Sequence, residues 1–320
     1  MGRQLAMVIN LDKCLGCHTC TVACKNLWTN KEGREYMYWN SVETKPGTGY
    51  PRDWENMGGG FDANNNVQLG VLPEQSDYGD VLQYDFDSAL FNGGGIVDPD
   101  PEPTWLPNWD EEVGDGTFPN NYYMYLPRLC NHCDNPACLA ACTRNAIYKR
   151  EEDGIVLVDQ ERCRGYRHCV QACPYKKVMY NAAKEKSEKC IFCYPRIEQG
   201  KANACAVQCP GRIRHVAFLD DTESDVYKLV VQHQVAIPLH PEYGTGPNVY
   251  YVPPFSGASQ VDAEGRPLNV DRIPMTYLRS LFGTAVDNVV SVLRAEHDTV
   301  KAGGTSAILE ILNSNNRFAL

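Results

Sequence analysis

Fifteen cysteines fall into four tight groups along 320 residues. The first is Cys14, Cys17, Cys20 and Cys24, the second Cys130, Cys133, Cys138 and Cys142, and the fourth Cys190, Cys193, Cys205 and Cys209. The third reads Cys163, Tyr166, Cys169 and Cys173, with Pro174 after it. It has the C-x2-C-x2-C-x3-C spacing of the first group with one thiol exchanged for a phenol. Disulfides suit this pattern badly. C-x2-C is too tight to bridge easily, an odd count strands one thiol, and disulfide frameworks belong mostly to short secreted chains. Structural zinc would take two C-x2-C pairs per site and leave the extra thiols of the longer run unused. The 40 acidic residues outnumber the 30 basic ones, for a formal charge of −10. That balance argues against a phosphate-binding surface, which needs a basic stripe.

C-x2-C-x2-C-x3-C-P is the iron–sulfur run of bacterial ferredoxins: three thiolates hold one cubane, and the fourth reaches the neighbouring cluster. Sixteen thiolates would hold four [4Fe–4S] clusters, so fifteen point to three of those and one [3Fe–4S]. Such a chain moves electrons. By the crossing rule, Cys14, Cys17 and Cys20 take Cys209, while Cys190, Cys193 and Cys205 take Cys24. Cys130, Cys133 and Cys138 take Cys173. The last set is Cys142, Cys163 and Cys169, with Tyr166 as a non-ligand at the vacant corner. A phenolate can bind iron, but loss of that iron is the expectation. A three-iron cluster usually runs at higher potential than its neighbours, which suits an exit point.

Basic residues crowd the motifs: Lys13, Lys25, Arg162, Arg164, Arg167, Lys176, Lys177, Lys189, Arg196 and Arg212. They read either as solvated charges or as counter-charges that raise cluster potentials. His18, His132 and His168 read as N–H donors to sulfur or backbone rather than as ligands. No catalytic site is expected: the chain has no G-x-G-x-x-G or Walker loop.

The expected fold is α+β, with two bacterial-ferredoxin-like two-cluster modules, long irregular insertions and a C-terminal helical extension. Between groups two and three, Ala146–Arg150 and Ile155–Val158 flank Asp153-Gly154 and read as a hairpin. Residues 126–179 then form one continuous module. Residues 1–40 and 180–220 form the other, with Leu5–Asn10 as the feeding strand and Arg214–Phe218 as the return strand. Residues 41–125 read as an irregular insertion packing on a larger partner through Trp28, Trp39, Trp54, Trp105 and Trp109. In the extension, 221–320, a capped helix is expected over Asp221–His233. Tyr277, Leu278, Leu281, Phe282, Ala285, Val286, Val289 and Leu293 mark one amphipathic helix whose stripe faces the core. No apolar run reaches 18 residues, so no direct membrane span is expected. The opening MGRQLAMVINLDKC lacks a basic stretch followed by an apolar one, so no secretory signal is expected.

The four groups, the stretch Cys163-Arg-Gly-Tyr-Arg-His-Cys169-Val-Gln-Ala-Cys173-Pro-Tyr-Lys-Lys177, and the tail from Ile237 to Pro254 carry a family likeness. Over nearly the whole chain they resemble the iron–sulfur β subunits of the type II dimethyl sulfoxide reductase family. That family includes nitrate, selenate, chlorate and perchlorate reductases, dimethyl sulfide dehydrogenase and ethylbenzene dehydrogenase. The resemblance implies three [4Fe–4S] clusters and one [3Fe–4S] cluster in the crossed pairing. It also implies a molybdopterin-containing catalytic α subunit on one side and a haem b γ subunit on the other. The chain would be non-catalytic by itself, and no nucleic-acid partner is implied. Family membrane nitrate reductase β subunits are longer and carry Trp at the position of Tyr166. This chain is more similar to the periplasmic branch, co-exported with an α subunit that bears a twin-arginine signal; the cytoplasmic face of the membrane is the alternative. An ethylbenzene-type dehydrogenase is the leading expectation, with an oxyanion reductase close behind and a free polyferredoxin carrier more remote.

Overall fold

A computed structural model describes residues 3–79, 114–315, 318 and 320. Trp105, Trp109 and the glycine run at 93–95 lie outside the described residues. The apolar run Leu5–Asn10 forms β1, with all six residues buried. A strand buried on both faces must have both backbone edges paired. It runs antiparallel to Arg214–Phe218, from Leu5 opposite Phe218 to Ile9 opposite Arg214, as expected. Its other edge pairs in parallel with Val249–Val252, from Met7 opposite Val249 to Asn10 opposite Val252. Part of the 221–320 extension completes the sheet on which the first cysteine group is mounted.

Further along the chain come α1 (Thr19–Cys24), β2 (Ser41–Lys45), β3 (Met124–Arg128), α2 (Ala137–Ala140), β4 (Ile147–Lys149) and β5 (Val156–Val158). They are followed by α3 (His168–Ala172), β6 (Val178–Asn181), β7 (Lys186–Lys189), α4 (Tyr194–Ile197), α5 (Ala204–Val207) and β8 (Arg214–Phe218). The expected hairpin is β4 with β5, Ile147 opposite Val158. A second hairpin, β6 with β7, leads into the fourth cysteine group and was not foreseen. Short helices α1 and α5 pack together, as do α2 and α3.

The described parts of the insertion build on this chain itself. Its two ends pair as β2 and β3, Ser41 opposite Arg128. Buried Glu43 accepts hydrogen bonds from Arg128 Nε (2.7 Å) and Trp54 Nε1 (3.1 Å). Burial alone would raise the Glu43 carboxyl, but Arg128, Lys45 and Lys177 beside it hold it below the ordinary range. Arg128 also stacks on Trp54, 3.7 Å from the ring centre. Farther on, the amides of Gly60 and Gly70 donate to the last carbonyls of α3, Ala172 and Gln171, at 2.9 and 3.2 Å. Trp39 and Trp54 are buried inside this chain, so they anchor it to itself and not to a partner.

The helix expected over Asp221–His233 starts later, as α6 (Asp225–Tyr227), and runs on as a wider turn over Lys228–Gln232. Ser224 caps it, its Oγ accepting the Tyr227 N–H at 3.1 Å. After β9 (Ile237–Pro238), β10 (Val249–Val252), β11 (Ser259–Val261) and β12 (Pro267–Asp271), the C-terminal stripe forms two helices instead of one. These are α7 (Met275–Phe282) and α8 (Ala285–Lys301), and a short α9 (Ala307–Glu310) follows. Gly283, at φ +70°, ends α7, and an Arg279–Asp287 ion pair of 2.9 Å spans the corner. The stripe itself is core: Leu278, Leu281, Phe282, Val286, Val289 and Leu293 are buried. Among the described residues, no helix is long and apolar enough to cross a membrane.

Candidate functional site

The first cysteine loop hangs from the end of β1. Asn10 Oδ1 accepts the Asp12 N–H at 3.1 Å, and the Asp12 carboxylate accepts the amides of Phe255 and Ser256 at 2.8 and 2.7 Å. The chain then takes two left-handed steps, Gly16 (φ +64°) and His18 (φ +53°), one on each side of Cys17, before α1 begins at Thr19. The third loop repeats the path. Gly165 (φ +67°) and Arg167 (φ +64°) flank Tyr166, and α3 begins at His168. Non-glycine residues rarely take this conformation, so its recurrence at matched positions marks a shared backbone design. Glycine is required at the first step of both loops. A Cβ on Gly16 would sit 2.5 Å from the Tyr125 ring, and one on Gly165 would sit 2.4 Å from the Glu185 carbonyl oxygen. Cys17 and Tyr166 both face outward; Tyr166 is 58% exposed.

These loops bring cysteines from different groups together. Cys14, Cys17, Cys20 and Cys209 line one cavity. Cys130, Cys133, Cys138 and Cys173 line a second, and Cys142, Cys163 and Cys169 line a third together with Tyr166. Cys24 lies within electrostatic reach of Cys190, Cys205 and Cys193, whose charges add to burial in raising its thiol well above the ordinary value. Among the described residues, no three cysteine, histidine or carboxylate side chains close on a single point as they would around one ion. In three of the groupings the sulfurs line a cavity, which suits a polynuclear cluster.

Burial pushes the Cys14 and Cys169 thiols up to about 11 and Cys205 to about 12, and raises Cys133, Cys138 and Cys190 as well. Thiols so placed stay protonated at neutral pH unless a cation is bound among them, and binding a metal releases those protons. The surroundings are already arranged for thiolate. The Phe192 N–H donates to Cys190 Sγ (3.4 Å), the Ala146 N–H to Cys142 Sγ (3.3 Å) and the Ser187 N–H to Cys163 Sγ (3.4 Å). Trp28 Nε1 donates to Cys193 Sγ at 3.1 Å. His132 Nδ1 accepts the Val156 N–H at 3.1 Å, so the ring proton sits on Nε2, which is buried, unpartnered and part of the residue lining the Cys130 cavity. Convergent thiols, N–H groups aimed at sulfur and an unmet imidazole donor fit an iron–sulfur cluster in each set.

At His132 the bond to backbone runs from the Val156 N–H to the ring, and the ring's own N–H on Nε2 stays unspent. The basic residues do not form one class: Lys13, Arg162, Arg164, Arg167 and Arg212 are exposed, Lys25 and Arg196 are half-buried, and Lys176, Lys177 and Lys189 are buried. His168 lines the Cys142 cavity, its ring centre 6.4 Å from that of Tyr166. The sequence reading missed Arg214, Trp28 and Ser187 as partners of sulfur. In the sequence Arg214 simply opens a strand, and Trp28 reads as an anchor for a partner.

Residues 121–218, which include groups two, three and four, match the model of the 4Fe-4S dicluster domain. The chain is similar to the dimethylsulfide dehydrogenase subunit beta of Rhodovulum sulfidophilum, 55% identical over 97% of this chain and 95% of that one. It is 54% identical to the selenate reductase subunit beta of Thauera selenatis, over 97% of this chain and 96% of that one. With the respiratory nitrate reductase 2 beta chain of Escherichia coli the identity is 38%, over 91% of this chain and 78% of the longer relative.

Proposed function

This chain belongs to the iron–sulfur β subunits of the type II dimethyl sulfoxide reductase family, electron-transfer subunits of molybdenum oxidoreductases, and from that premise we propose how its own residues carry the electrons. Three sets hold [4Fe–4S] clusters: Cys14, Cys17, Cys20 and Cys209; Cys24, Cys190, Cys193 and Cys205; and Cys130, Cys133, Cys138 and Cys173. The fourth set, Cys142, Cys163 and Cys169, holds a [3Fe–4S] cluster. Groups one and four make one two-cluster module, and groups two and three make the other. When bound, each cluster supplies a one-electron couple. The chain sets the spacing of the clusters and aims N–H groups at the sulfurs, and those N–H groups bias each couple toward its reduced form.

The observation that carries the reading is the repeated backbone path around Cys17 and Tyr166. The third loop keeps the turn that wraps a cluster and lacks only the thiol. The oxidised protein should therefore give the low-temperature EPR signal of a three-iron cluster, with three further clusters turning paramagnetic on reduction. An EPR-silent oxidised protein with full iron would sink the three-iron assignment.

The chain does no catalysis itself. It passes electrons between a molybdopterin-containing α subunit and a haem b γ subunit, and is exported with α to the periplasm. Fractionating cells that make this chain alone tests the export: periplasmic protein under those conditions would refute carriage by α. Identity to a relative named for a dehydrogenase, 55%, and to one named for a reductase, 54%, is nearly equal. Those identities favour neither direction of electron flow. The ethylbenzene-type dehydrogenase stays a proposal, to be tested by assaying the co-purified complex with a hydrocarbon against an oxyanion.

A further inference from the structure

Two cations are buried where one set of sulfurs gives way to the next. Arg214 is 1% exposed; its Nη2 donates to Cys20 Sγ (3.3 Å) and Asn40 Oδ1 (2.9 Å), and its Nη1 to Met7 Sδ (3.6 Å). Its charge bears on Cys14, of the first set, and on Cys205, of the second. Lys189 is 2% exposed. It donates to Cys130 Sγ (3.4 Å), to the Cys190 carbonyl (3.0 Å) and to the Val156 carbonyl. An ammonium has three hydrogens, and all three are spent here, none on a carboxylate. Its charge bears on Cys133 and Cys138 of the third set and on Cys190 of the second. A buried cation without a counter-charge costs several kcal/mol. For both side chains the nearest negative charge is that of thiolates in two neighbouring sets.

We infer that Arg214 and Lys189 are junction cations, one at each handoff on either side of the Cys24 set. Each stabilises the charge of the extra electron whether it rests on the cluster before the junction or the one after. The step moves one electron from one cluster to the next; no bond forms or breaks and no proton moves. Because the cation favours both reduced clusters, the hop between them stays near level while both become easier to reduce. This deepens the proposed function and rests on the sulfur sets holding clusters.

The test uses the complex purified with its catalytic partner. Iron and acid-labile sulfide are counted first, and a wild type short of four clusters overturns both the underlying reading and the junction role. With full iron, potentiometric EPR of Lys189→Met should show the clusters of the Cys24 and Cys130 sets at least tenfold harder to reduce, 59 mV for a one-electron couple. The Cys14 cluster should stay where it was. Lys189→Arg should restore most of the shift, which a purely structural tie between strands would not do. If Lys189→Met loses iron, Lys189→Gln, which still has an N–H to give to a carbonyl, carries the same prediction. Arg214→Gln should move the Cys14 and Cys24 clusters and spare the Cys130 cluster. Full iron with unmoved potentials in the Lys189 variants overturns the junction role and leaves the cluster assignment standing.

Discussion

The loops Cys14–Cys20 and Cys163–Cys169 follow one backbone path with different chemistry at the outward position. Both take a left-handed step at a glycine and another just before a short helix, at Gly16 and His18 in one loop and at Gly165 and Arg167 in the other. Between those steps stands a thiol in the first loop and a phenol in the third. Their surroundings also differ. Cys20 receives a charged donor, Arg214 Nη2 at 3.3 Å, whereas Cys163 and Cys169 are served by neutral groups of Ser187. The pair teaches that the turn and the ligand are specified separately. Glycine and the helix start set the path, and on the proposed ligand sets a single side chain decides how many irons the path can hold.

The largest effect should come from exchanging that side chain in both directions. On the proposed ligand sets, Tyr166→Cys should add one iron per chain and turn the three-iron EPR signal into a fourth reducible cubane. Its potential should fall by more than about 59 mV, a tenfold change for one electron. Cys17→Tyr should do the reverse, removing one iron and creating a three-iron signal where none stood. Iron analysis with EPR reads both. Equal iron content in Tyr166→Cys and the wild type would break the equivalence of the two loops.

A smaller effect separates the loops by what lies behind their glycines. Gly165→Ala forces φ +67° on a residue with a Cβ and drives that atom against backbone, the Glu185 carbonyl oxygen at 2.4 Å. The left-handed conformation and the overpacking together should cost about 2–4 kcal/mol. Gly16→Ala meets the Tyr125 ring at 2.5 Å, and a ring can tilt away. Its cost should stay nearer the conformational part, about 1–2 kcal/mol. Urea midpoints at unchanged m-value measure both. Equal costs would show that Tyr125 is as immovable as backbone.

How much of this was legible in the sequence follows from range. The β4–β5 hairpin and the β1–β8 pairing could be read because spacing and apolar runs carry them. The parallel edge of β1 could not: Met7 and Val249 are paired across most of the chain, and nothing local marks strand partners so far apart. The break at Gly283 was hidden because the apolar period runs straight through it, so only the glycine hinted at a corner. The buried lysines broke the rule that Lys stays in water, which holds unless a partner is present. For Lys189 that partner is a sulfur 59 residues away. Trp39 and Trp54 were misassigned for a related reason. An aromatic-rich, glycine-rich insertion looks coreless until the Glu43–Arg128 pair is seen to tie its two ends together.

The smallest predicted effect sharpens the comparison at the level of one hydrogen bond. Cys20 and Cys169 hold equivalent places in their loops, and Cys169 Sγ lies 3.4 Å from Ser187 Oγ, deep in the chain. With the sulfur held as thiolate, the hydroxyl donates to it. Ser187→Ala removes that donor and keeps the Ser187 N–H on Cys163, so one bond alone is lost. The bond is stronger to the reduced cluster, which carries more charge on sulfur, so its loss must lower the potential. A hydrogen bond contributes about 0.5–1.5 kcal/mol net. At about 59 mV per tenfold for one electron, that amounts to a fall of roughly 20–60 mV. The Cys14 cluster, whose sulfur is served by Arg214, should not move. Redox titration of the three-iron EPR signal measures the shift, and a rise, or a change at the Cys14 cluster of the same size, would show that Ser187 acts through packing and not through the sulfur.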